Sequence, residues 1–242
     1  MDPNPNSFKD LGFSRLIISQ NSIGKTINSE QFQFLSFNEK GLSKSRNRAI
    51  ENSTAKYGLI ADDDVKFCEG FKKKIENGFN LYPDADILTF KILTPDARPY
   101  KNYRSSAFKH SRSSIFKVSS VEIVVRLDKI NWAGLRFDER FGLGAEFKSG
   151  EETIFLNDAL DAGLNLYYIP QYLVIHPKES SGKILDINYF QSKGALVKRL
   201  YQKSIYFPLG LVFLLKQLAK SNKAIRLTSA IKEIFRGYNS AL

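Results

Sequence analysis

The chain predicts an α/β fold, a mixed or parallel sheet flanked by helices, and three observations carry that prediction. Apolar runs of strand length alternate with stretches of helical periodicity, joined by short polar links. Three consecutive carboxylates, Asp62-Asp63-Asp64, end one such run, Tyr57–Ala61. A glycine-rich loop over 141–150 (FGLGAEFKSG) leads into a second acidic pair, Glu151-Glu152, at the mouth of a helix.

Taken in order, Arg15–Ser19 reads as a buried strand and Phe32–Phe37 as an alternating one. Gly41 opens a helix over GLSKSRNRAIENS, with Ser43 as its expected cap and Leu42, Ala49 and Ile50 on one face. The strand Tyr57–Ala61 delivers the aspartates. Glu69–Tyr82 is the next helix, stopped by Pro83, and Asp86–Leu93 the next strand. A polar basic stretch, Arg98 to Arg112, contains Lys101, Arg104, Lys109 and His110, the last expected at the surface or on the acceptor side. A strand over Val118–Val125 follows, then the helix Glu151–Ala162 closed by Gly163, and two strands, Leu166–Ile169 and Tyr172–Ile175. Strand, helix, strand, helix, strand with short links points to parallel pairing, and ligands of such sheets gather at the carboxyl ends of the strands.

With 242 residues, 43% hydrophobic and 25% charged, the chain can bury one sizeable domain. The single cysteine, Cys68, excludes an internal disulfide and a thiolate zinc site and suits a reducing compartment. The first fifteen residues have no basic segment leading into an apolar run, so a cytoplasmic location is expected. The net charge of +11 is uneven: residues 193–242 hold ten Lys or Arg against one acid, Glu233. Domain organisation is therefore read as 1–185, a catalytic α/β domain, and 186–242, a basic amphipathic helical tail. Within that tail Ser204–Leu215 is apolar but too short to span a bilayer. Basic residues on both sides suit helices lying on an anionic membrane surface, the inner face of the plasma membrane. The other reading of the tail is a helix packed on the domain with a solvated basic face.

Adjacent carboxylates repel by about 4 kcal/mol at ~4 Å and an effective dielectric of 20. A strand end tolerates three of them if they stay solvated or share a divalent cation, and oxygen ligands suit Mg²⁺ or Mn²⁺ bridging to a substrate diphosphate. Glu151-Glu152 admits two readings. Ser149-Gly150-Glu151-Glu152 fits the S-x-x-E capping box, so Glu152 can cap its helix. Alternatively, the pair removes the proton of an attacking hydroxyl while the aspartates hold a metal on the leaving group. His176, just past an apolar strand, is equally a structural residue or a metal ligand beside a carboxylate, where an imidazole favours Mn²⁺.

Residues 41–183 resemble the inverting GT-A-fold glycosyltransferases of family 2, which use nucleotide-sugars. GLSKSRNRAIENSTAKYGLIADDDVKF is similar to the family's helix with an Arg-Asn pair followed by its DxD strand. FGLGAEFKSGEETIFLNDALDAGLNLYYIP is similar to its acceptor-side motif, a Gly-rich loop followed by Glu-Asp, here Glu151-Glu152. The resemblance implies nucleotide binding by Arg46, Asp62, Asp63 and Lys183, metal ligation by Asp64, Asp62 and His176, and catalysis by Glu152 as base with Glu151 on the acceptor. The three aspartates leave the DxD register open. The implied donor is a UDP-sugar with Mn²⁺ or Mg²⁺, and the implied acceptor a saccharide or lipid-linked hydroxyl in cell-surface polysaccharide synthesis. The first clear strand matches the family's second, so the family's opening strand and Thr/Asn-rich turn are expected to be missing. Two other functions compete: a catalytically impaired relative serving as a binding subunit, and a basic nucleic-acid-binding protein. Against the latter, the excess charge lies in the tail among aliphatic residues, and no nucleic-acid recognition motif is visible.

Overall fold

The computed structural model describes residues 13–20, 26–29, 32–177, 187–201 and 227–240. Its strands are β1 (Arg15–Gln20), β2 (Thr26–Asn28), β3 (Phe32–Phe37), β4 (Tyr57–Leu59), β5 (Lys66–Phe67), β6 (Ile87–Leu93), β7 (Phe108–Lys109), β8 (Ile123–Arg126) and β9 (Leu166–Ile175). Its helices are α1 (Leu42–Asn52), α2 (Phe71–Leu81), α3 (Leu127–Trp132), α4 (Glu151–Asp161), α5 (Ile187–Tyr201) and α6 (Leu227–Ser240). Lys183 and the apolar run Ser204–Leu215 lie outside the described residues.

The strands form two sheets. β1 pairs parallel with β3, and β2 pairs antiparallel with β3. The larger sheet runs β4-β8-β6-β9-β5, with β7 added on β9. It is mixed rather than parallel: β6 and β9 are parallel, whereas β8 inserts antiparallel between β4 and β6. β4, β6 and β9 therefore share one direction, and their carboxyl ends share one edge. Alternation along β8 explains why short apolar runs are needed here. Ile123 and Val125 join a cluster with Phe137, Phe155 and Leu156, while Val124 joins Phe79, Phe90 and Leu173 on the other face. Both faces of β8 are covered, so Ile123, Val124 and Val125 are buried in succession.

Four sequence expectations are corrected. The strand expected over 118–125 begins only at Ile123, because Ser119 and Glu122 close a capping box around the single 3-10 turn Ser120–Glu122. Glu122 is buried there, held by Lys101 Nζ at 2.7 Å and Tyr103 Oη at 2.6 Å. Leu166–Ile169 and Tyr172–Ile175 are one strand, because register shifts against β6 absorb Pro170-Gln171 in bulges. His110 is buried, not a surface residue: its ring bridges Thr89 Oγ1 at 2.8 Å and Ser114 Oγ at 2.9 Å. Burial, then the charge of Lys101, lowers its pKa to about 4, so it stays neutral. Finally, α1 is not capped by Ser43, whose hydroxyl instead donates to the Phe141 carbonyl.

Within the stretch read as a tail, α5 packs against the loop before α4. Ala195 and Leu196 join Phe141, Phe147 and Ile154 in one apolar cluster. α6 in turn lies on α5, with Phe190, Val197, Ala230 and Ile234 between them. The two backbones touch at glycines: a Cβ on Gly194 would overlap the Ile234 carbonyl, and one on Gly237 the Gln191 carbonyl. An alanine in a helix interior normally gains about 1 kcal/mol over glycine. Gly194→Ala is nevertheless expected to destabilise by about 1–3 kcal/mol, because overpacking against backbone outweighs propensity. Denaturant unfolding reads the sign directly, and a stabilised variant would refute the close helix contact.

Candidate active site

The site forms where α1 meets the carboxyl edge of the sheet. Gln20, at the end of β1, fixes the start of α1 by donating to the Gly41 carbonyl at 2.7 Å and accepting from its N–H at 3.1 Å. The glycine-rich loop folds over the same helix end. Leu42 N–H donates to the Leu143 carbonyl at 2.8 Å. Gly142 has φ +107°, and a Cβ there would meet Ser43 Oγ at 3.1 Å and the Glu151 carboxyl at 3.4 Å. Only glycine lets the loop take this turn while seated against both residues.

The Arg-Asn pair on α1 has two separate tasks. Asn47 holds the segment leading into the loop: its side chain accepts from Phe137 N–H at 2.8 Å and donates to the Phe137 carbonyl at 3.0 Å and to Glu139 at 3.1 Å. Arg46 reaches the carboxylates. Its Nη1 lies 2.9 Å from Glu151 Oε1 and its Nη2 3.5 Å from Asp62 Oδ1, with the guanidinium 5.4 Å from the Phe137 ring centroid. The Arg46 and Glu151 side chains are about nine-tenths buried (8% and 10% exposed), whereas Asp62 is 31% exposed. One buried cation thus joins the aspartate turn to the glutamate pair.

Asp62–Asp64 lie in a turn beyond β4, closed by Val65 N–H on the Asp62 carbonyl at 3.3 Å. β5 then pairs antiparallel with the end of β9, which brings the turn to His176. His176 is buried, and its Nε2 lies 3.2 Å from Asp64 Oδ1. The Tyr100 ring stands edge-on to the imidazole, 6.1 Å between centroids. Asp63 is exposed. The expected ligand trio is therefore divided: Asp64 meets His176, but Asp62 turns to Arg46. Among the described residues no three His, Cys, Asp or Glu side chains converge as a metal cluster. A carboxylate oxygen beside an imidazole nitrogen still fits a cation such as Mn²⁺ that takes its remaining ligands from water and a diphosphate.

Glu151 and Glu152 open α4 after its N-cap, Gly150, which takes a φ of +108°. No side chain caps the helix, so the capping box read from Ser149 to Glu152 does not form. Glu152 is partly buried. Burial first, and the neighbouring charge of Glu151 second, raise its carboxyl pKa to about 7, opposed by Lys193 and Arg46. Lys193, on α5, is a site residue that sequence reasoning missed. Its only sequence signal is the Lys at the start of the basic tail, and its influence on Glu152 depends on how α5 packs beside the start of α4. A cleft of about 450 Å³ beside exposed Trp132, lined by Asp86, Asp128, Lys129 and Leu164, lies at the amino ends of β6 and β9, away from these carboxylates.

No protein-family model matches the chain, and no curated protein matches it by sequence. Solved structures do. S. aureus TarS residues 1–349 in complex with UDP superposes with a TM-score of 0.64 at 13% identity, covering 97% of this chain and 75% of that one. The same protein in complex with UDP-GlcNAc superposes at 0.57 with 13% identity, covering 95% and 90%. A longer S. aureus TarS structure gives 0.62 at 11% identity, covering 95% of this chain and 50% of that one. These neighbours are GT-A-type glycosyltransferases, and the likeness shows that this chain has the GT-A glycosyltransferase fold.

Proposed function

We propose that this protein is an inverting glycosyltransferase that moves a sugar from a UDP-sugar to a hydroxyl of a cell-surface saccharide or lipid-linked acceptor. The observation that carries the reading is Arg46, which joins Asp62 of the donor-side turn to Glu151 beside Glu152. The UDP and UDP-GlcNAc complexes of structurally similar TarS support the donor class. Asp62 and Asp63 then face the nucleotide, with Arg46 fixing Asp62. Asp64 and His176 would hold a divalent cation, whose chemistry is to neutralise the departing diphosphate.

Glu152 takes the proton of the acceptor hydroxyl while that oxygen attacks the anomeric carbon. The bond from that carbon to the phosphate oxygen breaks, the electron pair leaves with the diphosphate, and the configuration inverts. A carboxylate whose pKa is near 7 is a far stronger base than an ordinary glutamate, yet remains substantially ionised at neutral pH. Glu151, ion-paired with Arg46, is placed to position the acceptor. No helix among the described residues is long and apolar enough to cross a membrane. On α6, Ile231 and Phe235 are exposed one turn apart beside exposed Lys232 and Arg236. That pattern supports attachment to an anionic membrane surface, on the cytoplasmic side.

Incubation of the purified protein with UDP-sugars and Mn²⁺ tests the reading. Release of UDP is expected, and the absence of both UDP binding and UDP release from every UDP-sugar tried would overturn it. Asp64→Asn should leave the fold intact, because the side chain is half exposed. It should weaken Mn²⁺-dependent UDP affinity by about 10-fold or more, as measured by calorimetry.

Glu152→Gln should lower turnover by about 10²–10⁴ while UDP affinity is kept. It also has a pH signature. The folded protein holds a proton at Glu152 that the unfolded chain releases above the ordinary value of 4.5. Wild-type stability should therefore fall as pH rises from 4.5 towards about 7, whereas the glutamine variant lacks this loss. The variant's gain in melting temperature over wild type should be larger at about pH 8 than at about pH 5.

A further inference from the structure

α5 lies along the start of α4 through contacts on consecutive turns. Ser192 Oγ accepts from Lys148 N–H at 2.9 Å, just before the glutamates. Leu196 fills the space beside Gly150, where a Cβ would come within 3.2 Å of its side chain. Arg199 donates to Asp158 of α4 at 2.7 and 3.2 Å and to Asp138 at 3.1 Å. Lys193 sits between Ser192 and Leu196, and its Nζ lies 5.1 Å from the Tyr189 ring centroid. Such a cation–π contact restrains the ammonium where the stem alone would leave it free to rotate.

From this geometry we propose that Lys193 is a positioning residue of the acceptor-side site, the counter-charge that α5 brings to the Glu151–Glu152 pair. The proposal rests on the glycosyltransferase reading for its catalytic consequence, but not for its electrostatics. Among the described residues the charges of Glu151 beside it, Lys193 from α5 and Arg46 from α1 act on Glu152. Arg46 is already engaged by Glu151 and Asp62. Lys193 therefore supplies the balancing charge that keeps a partly buried Glu152 ionised. The effect is mutual: burial lowers the lysine's pKa, and both glutamates raise it. Without Lys193, the base would hold its proton at neutral pH and could not accept another from the acceptor.

Carbon-detected NMR of protein labelled at the glutamate carboxyl carbon tests this, with Glu152→Gln assigning the resonance. Lys193→Met keeps the aliphatic stem and removes the charge. It should move the Glu152 titration midpoint up by about one pH unit, and Lys193→Arg should restore it. In the active enzyme the acid limb of kcat/KM against pH should move with it. Lys193→Gln gives the same comparison if Met disturbs α5. An unmoved midpoint in folded Lys193→Met or Lys193→Gln would overturn the proposal, whatever happens to stability. A moved midpoint in a protein that binds no UDP and releases none from any UDP-sugar would instead sustain the electrostatic pairing and defeat the glycosyltransferase reading.

Discussion

The buried ion pair between Arg46 and Glu151 is the interaction on which the site depends. Removing one partner of such a pair costs about 3–5 kcal/mol, since the other is left as an uncompensated buried charge. The second contact of Arg46, to Asp62, is longer and partly exposed, so solvent screens it and it holds more weakly. The guanidinium is thus anchored on the glutamate pair and only leans on the aspartate turn. That asymmetry suits the proposed reaction, in which Arg46 holds Glu151 firmly and steadies Asp62 while leaving its carboxylate open to the nucleotide.

Everything around this pair acts to hold it still. Asn47, one residue along α1, clamps 137–139, and Ser43 takes the Phe141 carbonyl, so one helix face organises the segment leading to α4. Gly142 lets that segment pass close to Glu151, and α5 presses on it from the other side. Acidity at Glu152 follows from the same packing. Arg46 spends its direct contact on Glu151, and burial then raises the second carboxyl until Lys193 opposes the rise. Two adjacent glutamates thereby acquire different chemistry from different partners.

Much of the frame was legible in the chain because local signals and tertiary packing agree. β3, α1, α2, β6 and α4 fall close to where periodicity, glycine and proline place them. The failures have physical causes. Ser119 and Glu122 cap a turn within a stretch that reads as one strand, and Pro170 does not break another, because bulges accommodate it. The antiparallel insertion of β8 is a long-range pairing with no local mark. Serines 43 and 149 look like caps, yet glycines with positive φ occupy both N-cap positions. Among site residues, Arg46, Asp62, Asp64, His176, Glu151 and Glu152 all reach this edge, but the division of the aspartates between Arg46 and His176 was not readable. Spacing identifies which carboxylates are near each other, not which cation each one faces.

The central claim is that Arg46 and Glu151 act as one buried unit linking the two halves of the site. A double-mutant cycle on unfolding free energy, with Arg46→Met, Glu151→Gln and the pair, measures that link directly. The account predicts that each single change destabilises by several kcal/mol and that the double variant costs clearly less than their sum, with a coupling of about 1–3 kcal/mol. Additive effects within about 0.5 kcal/mol would contradict it, because they would mean that Arg46 and Glu151 are held in place independently.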